Sequence, residues 1–291
     1  LFTVNCLLFT VNCLLFTVTA NQYEKPKMKI IGISLGHDVS AALVCEGRVV
    51  CAVQEERLTR VKLHSGLPYG SVIEVMELTE TIPDEIAGFA VGWDRDYLYE
   101  VAESIVTDCR ERQAQGQRFA QPLADALDSL AALIQSGIPQ QIYPQVNTAV
   151  ETLLQCFAAE VTGANPDLVF IGHHTAHAGS AYFTCPWDKA LVVTSDGKGG
   201  GLAATVSVAD NGRITRLYET ADSDSIANFY AAVTRYLGYK ANRHEGKITG
   251  LAAYGDSTAN MQACGGLFSY DSQAKVVKSM VAELWQSWLA D

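Results

Sequence analysis

From Lys29 onward the chain first alternates short apolar runs with turn residues and later changes to a helical period, which predicts strands followed by helices. Lys29 to Ser34 is an apolar run bounded by Leu35-Gly36-His37-Asp38 and reads as a strand. Ser40 to Cys45 and Arg48 to Gln54 follow as a hairpin closed through Glu46-Gly47. Tyr69 to Thr79 predicts a short helix and Ile86 to Val91 a further strand. Residues 95 to 163 are predicted to be largely helical: Leu98, Ala102, Ile105 and Cys109 recur at helical spacing. So do Leu123, Leu127, Leu130 and Ile134, and then Val146, Val150, Leu153, Phe157 and Val161. These stripes read as core faces, and Gly137-Ile138-Pro139 separates the last two helices. Leu168 to Ile171 then predicts a buried strand, with a helix expected after it.

The opening grammar recurs. Ala190 to Val193 is a second apolar strand, and Leu202 to Val208 and Ile214 to Tyr218 form a second hairpin through Asp210-Asn211-Gly212. Both hairpin turns end in Gly-Arg, at Gly47-Arg48 and Gly212-Arg213, so the pattern reads as a structural duplication. Two halves that each open with a three-stranded meander describe an α/β chain of the duplicated ribonuclease-H-like type, the architecture of actin and sugar kinases. In that fold the loops after the first strands of both halves face one cleft, which directs attention to His37-Asp38 and to Asp196 through Gly201. The expected organisation is 28–187 for the first half, with the helical insertion at about 95–163, and 188–291 for the start of a second half. Ser225 is the expected N-cap of a helix from Ile226 to Leu237 that stops at Gly238. Ala274 to Leu289 reads as an amphipathic helix. The sequence stops there with no closing strand, so a fragment with its C-terminal half missing is expected.

Composition narrows the partners. At 291 residues the chain is long enough for about two domains, and a formal net charge of −11 argues against nucleic-acid or anionic-membrane surfaces. A small-molecule partner is the better expectation. The eight cysteines contain no C-x-x-C and mostly sit among apolar neighbours, as expected for a reducing cytoplasm. The first nineteen residues read LFTVNCL, LFTVNCL, LFTVT. This is a poor signal peptide, heptad or membrane anchor, and it resembles the translation of a seven-nucleotide repeat through three frames. Residues 1–27 are therefore expected to lie outside the fold, with Met28 as the true start.

The candidate chemistry centres on FIGHHTAHAGSAYF. His173 and His177 are four apart, so on a helix both imidazoles project from one face and form half of a metal site. An H-x-x-x-H pair by itself is common among ordinary core or surface histidines. The zinc-protease form is disfavoured, because it needs Glu directly after the first histidine and His174 stands there. A carboxylate can complete the set, and Asp196 is placed to do so, between a strand and the glycine-rich turn Gly197-Lys198-Gly199-Gly200-Gly201. A second glycine-rich segment, His244 to Gly255, carries Lys247 near a helix start, where it could hold a phosphate or simply serve a tight turn. It is not a Walker A loop.

Four segments in order, KIIGISLGHDVSAALVCEGRVVCAVQEERLTR, HHTAHAGSAYF, VVTSDGKGGG and HEGKITGLAAYG, resemble the N-terminal domain of carbamoyltransferases of the nodulation-factor and antibiotic-tailoring type. That domain is similar in turn to the proteins that install threonylcarbamoyl on tRNA. The resemblance runs from about Met28 to Gly255. It implies transfer of a carbamoyl group from carbamoyl phosphate, with ATP and through carbamoyl adenylate, to the hydroxyl of a small-molecule acceptor. It further implies His173, His177 and Asp196 as ligands of a divalent metal, typically iron. The resemblance also implies a further Asp ligand beyond residue 291 and a separate domain, expected to follow, that would make the adenylate. His37 becomes the group that positions or deprotonates the acceptor hydroxyl, with Asp38 orienting it. Gly197, Lys198, Gly199, Gly200 and Lys247 fall in the regions that line the adenylate. Glu55, Glu56, Arg57 and Arg60 match a block of unassigned role and on composition read as solvated charges. The chain departs from the pattern by separating Lys62 from His64, and by placing Ala253 and His244 where Pro and Gly are usual. Two other readings stand beside this one: a tRNA threonylcarbamoyl transferase, which the acidic charge disfavours, and an inactive truncated binding module.

Overall fold

The computed structural model describes residues 28–279 apart from 136, 257 and 259–265, so the expectations for residues 1–27 lie outside it. The chain separates into two compact units, the first ending at Trp187 and the second beginning at Asp188. Both are mixed α/β.

In the first unit, β1 (Lys29–Ser34), β2 (Ser40–Cys45), β3 (Arg48–Gln54), β4 (Ile86–Val91) and β5 (Asp167–Phe170) form one sheet in the order β3-β2-β1-β4-β5. β1 to β3 are an antiparallel meander, whereas β1, β4 and β5 run parallel. The turn Glu46-Gly47 has positive φ at both residues (52° and 73°), the geometry whose twist matches a two-residue hairpin. β1 is apolar at successive positions because it is central and buried on both sides. Ile31 and Ile33 pack with Leu43, Phe89 and Val91 into the main core, while Ile30 packs with Val44 and Ala90 on the other side.

The main core is closed by α2 (Tyr69–Leu78), α3 (Ala102–Ala114), α4 (Gln121–Ile134) and α5 (Tyr143–Thr162), which follow the short α1 (Glu55–Thr59). They contribute Val72, Val75, Ile105, Leu127, Val150 and Leu153, so the helical stripes are core faces. Cys109 lies in the same core, and burial pushes its thiol up to about 12. The opposite face of the sheet takes α6 (His173–Phe183) through Ala176. The histidine helix thus sits across the sheet from the helical insertion.

In the second unit, β6 (Lys189–Gly199), β7 (Leu202–Asp210) and β8 (Arg213–Ala221) form a second antiparallel meander, turning at Asn211-Gly212 with φ of 47° and 79°. α7 (Ile226–Tyr236) packs on β6, and α8 (Glu245–Ala252) packs on α7. Ser225 Oγ accepts from the Asn228 N–H at 3.2 Å, so it is the N-cap, and Gly238 follows the helix with φ of 79°. β9 (Phe268–Asp271) and β10 (Val276–Ser279) pair as a small hairpin. No helix among the described residues is long and apolar enough to cross a membrane.

Four expectations need correction. The strand after α5 is not buried: β5 is an edge strand with Val169 exposed, so its apolar run covers only part of a face. Asp196 does not lie on a turn. β6 continues to Gly199, and the turn is confined to Gly200 and Gly201, both at positive φ; Asp196 falls in the bulge between the pairs Ser195↔Ala204 and Gly199↔Leu202. Ala274 to Leu289 does not begin as a helix, because Val276 and Val277 pair with Asp271 and Tyr270 in β10; residues after 279 lie outside the description. Finally, Glu55 is fully buried and bonded rather than solvated, while Arg57 remains exposed.

Candidate functional site

The three parallel strands of the first unit end at the same edge of the sheet, so the segments that follow β1, β4 and β5 gather there. These segments carry His37-Asp38, Trp93-Asp94 and the first turn of α6. The carboxyl edge of parallel strands is where open α/β sheets bind ligands.

α6 begins at Gly172, which offers no side chain to cap it. Asp94 does so from the loop after β4: its Oδ2 accepts from the His173 N–H at 2.8 Å. A Cβ on residue 172 would stand 2.8 Å from Asp94 Oδ1, so only glycine lets the carboxylate come this close. The negative charge also suits the positive end of the helix dipole. Trp93 lies edge-on to the His173 ring, with centroids 5.1 Å apart, and donates through Nε1 to the Tyr97 carbonyl. The same indole packs against Gly36, where an added Cβ would stand 3.3 Å from it. One side chain thus touches both the loop of His37 and the helix of His173. Neither Trp93 nor Asp94 stood out in the sequence; the available signal was a Gly-Trp-Asp turn at the end of a strand.

His173 and His177 meet as their spacing predicts. Their Nε2 atoms are 3.1 Å apart and their rings are close to perpendicular, at 82°. His173 is buried, and His174 beside it more so, at 1% exposure. Two imidazole nitrogens this close must share either a proton or a cation. A cation about 2.1 Å from each would see them roughly 95° apart, close to a right angle and suited to a first-row divalent metal. The pair therefore fits such an ion. Asp94→Ala is expected to weaken metal retention about tenfold to a hundredfold by loosening the first turn of α6, with little change in secondary structure. Metal titration of the purified variant, beside its circular dichroism spectrum, checks this.

His37 and Asp38 occupy the loop between β1 and β2. His37 forms an isolated bridge with Ser65, and its side chain is 74% exposed. Asp38 takes up positive φ (59°) and is buried, with Oδ2 3.4 Å from His37 Nδ1, the outer limit of a hydrogen bond. Its other oxygen, Oδ1, has no hydrogen-bond partner among the described residues. An exposed imidazole backed by a buried carboxylate can take up and hold a proton.

The remaining candidates belong to the second unit. Asp196 Oδ1 accepts from the Gly197 N–H at 2.6 Å, and the Asp196 carbonyl accepts from Ser225 Oγ at 3.2 Å, which ties the bulge to the cap of α7. Gly197, Lys198 and Gly199 continue β6, and Gly200 opens the turn. Lys247 is exposed in the first turns of α8, its Nζ 5.9 Å from the centre of the Tyr239 ring.

A family model described as the carbamoyltransferase N-terminus matches residues 29–285. The chain belongs to this carbamoyltransferase family. The nodulation protein NolNO of Sinorhizobium fredii is 30% identical over 220 residues, covering 76% of this chain and 28% of NolNO. The uncharacterized protein sll1178 of Synechocystis is 32% identical over 232 residues, covering 78% of this chain and 35% of that protein. The nodulation protein NolO of Bradyrhizobium diazoefficiens is 35% identical over 86 residues, 30% of this chain. The chain thus spans about a third of the length of the first two relatives. The span matched to the carbamoyltransferase family includes the histidine pair, the His37 loop and the whole second meander.

Proposed function

We propose that this chain is the N-terminal part of an ATP-dependent O-carbamoyltransferase, which moves the carbamoyl group of carbamoyl phosphate through carbamoyl adenylate to a hydroxyl of a small molecule. Membership of the carbamoyltransferase family supports the group transferred. The observation that carries the site is the convergence of His173 and His177 Nε2 at 3.1 Å on a helix capped by Asp94.

His173 and His177 would hold a divalent metal, Fe(II) in this reading, with Asp196 as the carboxylate that joins them. When bound, such an ion acts as a template and Lewis acid for phosphate and carbamoyl oxygens. Gly197, Lys198, Gly199 and Gly200 would let backbone approach the nucleotide, and Lys247 would meet its phosphate charge. His37 is the proposed base. Its imidazole takes the proton of the acceptor hydroxyl as that oxygen bonds to the carbamoyl carbon, the bond from that carbon to the adenylate oxygen breaks, and AMP leaves. Asp38 orients the ring and balances the imidazolium that forms. The leaving group is already good, so most of the task is holding the reactants together and keeping water out.

The fold proposed for this function is the duplicated ribonuclease-H-like type, with 28–187 as its first half and 188 onward as the start of its second. The sheet order β3-β2-β1-β4-β5 and the repetition of the meander support it. The polypeptide that completes the longer relatives would supply the adenylate-forming part. A cytoplasmic setting without nucleic-acid or membrane partners agrees with the free thiols at Cys45, Cys51, Cys109, Cys156 and Cys185 and with the charge of −11.

The test supplies ATP, carbamoyl phosphate, Fe(II) and a hydroxylated acceptor to the chain, alone and joined to that completing polypeptide. The joined protein is expected to release pyrophosphate and carbamoylate the acceptor; absence of pyrophosphate, carbamoyl adenylate and product rejects the reading. His37→Ala is expected to lower the transfer rate about a hundredfold to ten-thousandfold while pyrophosphate release persists. Assaying the two products separately distinguishes the steps.

A further inference from the structure

Behind the loop that carries His37, four ionisable side chains are buried together. Glu55 and Asp108 are 0% and 4% exposed, His64 and Arg112 only 10% and 13%. Arg112 joins them. Its Nη2 donates to Glu55 Oε1 at 2.8 Å, and its Nε lies 3.0 Å from each Asp108 oxygen. Asp108 Oδ1 meets His64 Nε2 at 3.0 Å, and His64 Nδ1 meets Thr59 Oγ1 at 3.3 Å. Backbone donors fill the remaining acceptor positions: Leu67 N–H to Asp108 Oδ2 at 3.1 Å, and Gly70 and Ser71 N–H to the Glu55 oxygens at 2.9 and 2.7 Å. Burial alone would lower the Arg112 guanidinium, but Asp108 and Glu55 outweigh it and hold it above its ordinary range.

Buried charge of this kind is a poor source of stability, since well-packed apolar residues usually serve as well. Its geometry is the more informative feature. The two ends of the network clamp one residue of the candidate catalytic loop through their own backbones. The Val39 N–H donates to the His64 carbonyl at 3.1 Å, and the Val39 carbonyl accepts from the Glu55 N–H at 2.9 Å. The neighbouring residue, Ser65, bridges His37. Gly66, at φ of +126°, packs so tightly on Asp108 that an added Cβ would fall 2.2 Å from Asp108 Cβ. A displacement of Asp108 or Arg112 therefore moves the 64–67 segment, and with it Val39 and the His37-Asp38 pair.

We infer that Glu55, His64, Asp108 and Arg112 form a positioning unit that sets the orientation of His37 and Asp38. The inference rests on the proposed function only in taking His37 as the base. None of the four touches the reacting atoms; they act through the backbone of residues 37–39.

The experiment compares the wild type with Asp108→Asn and with His64→Gln, a milder change at the edge of the network. The chain has six histidines, so the His37 ring can be followed by NMR. In a variant that keeps the wild-type spectrum of β4 and α5, the Val39 amide should exchange about tenfold faster or more. The pH midpoint of the His37 ring should also move by about half a unit. In the joined protein the turnover number should fall about tenfold or more, with the KM for carbamoyl phosphate unchanged. An unmoved His37 titration and an unchanged Val39 exchange rate in a folded variant overturn the inference; should Asp108→Asn not fold, His64→Gln decides. The two readings separate cleanly. If the His37 ring responds but no carbamoyl transfer occurs in any form, the positioning unit stands and the proposed function fails. If His37→Ala abolishes transfer while the network variants leave ring and rate untouched, the positioning unit fails.

Discussion

His177→Ala should leave the protein without retained divalent metal, where the wild type is expected to hold about one equivalent per chain after desalting. The effect should be close to complete, because in this reading the two imidazoles would chelate the ion as a pair presented by one helix. Their Nε2 atoms are already 3.1 Å apart, so binding needs little rearrangement, and losing either one leaves a single monodentate ligand on this element. His173→Ala should behave in the same way for metal. It should cost more stability as well, because His173 is buried against Trp93 whereas His177 is only partly so. Metal content measured by mass spectrometry, with the unfolding midpoint measured in parallel, separates loss of ligand from loss of fold. Unchanged iron content in folded His177→Ala removes that residue from the site. Loss of carbamoyl transfer should follow metal loss, since the proposed chemistry needs charge neutralised at the phosphate and carbamoyl oxygens.

Arg112→Met should cost about 3–5 kcal/mol of unfolding free energy, the range found when one partner of a buried ion pair is removed. Methionine keeps the apolar stem of the side chain and removes the guanidinium, so most of the loss comes from the missing charge partner. What remains is Glu55, with no exposed surface, and Asp108, at 4%, each without its guanidinium partner in the interior. Arg95 provides the control. It makes a two-pronged pair with Glu151, at 2.7 and 2.5 Å, but is 63% exposed, so Arg95→Ala should leave the midpoint near wild type. Urea unfolding of both variants tests the contrast. A loss for Arg112→Met no larger than for Arg95→Ala would mean that the buried carboxylates find other partners.

The parts of the site that could be read from the sequence are those whose geometry is local. His173 and His177 are one helical turn apart, so their convergence follows once α6 forms, and α6 follows from the residues around it. The two hairpins were legible for the same reason, because Glu46-Gly47 and Asn211-Gly212 supply positive φ within two residues. What escaped was set at long range. Glu55 reads as a solvated charge beside Glu56 and Arg57, and it becomes buried only because Arg112, fifty-seven residues away, comes to meet it. Asp94 gives no sign that it caps a helix whose first residue lies seventy-nine positions later. The bulge at Asp196 is likewise a matter of register between β6 and β7, which the glycines around it permit without dictating.

By itself, the amino-acid sequence determined the order of the main strands and helices as far as Gly238, the helical pairing of the two histidines and the likeness to the carbamoyltransferase family, since each depends on residue types at fixed short spacings. Only the tertiary structure decided which charges are buried, which carboxylate caps the histidine helix, and what clamps the loop of His37. Such pairings are chosen by the sheet and helix packing that brings distant segments together, where burial makes an ionised group find a partner or destabilise the fold.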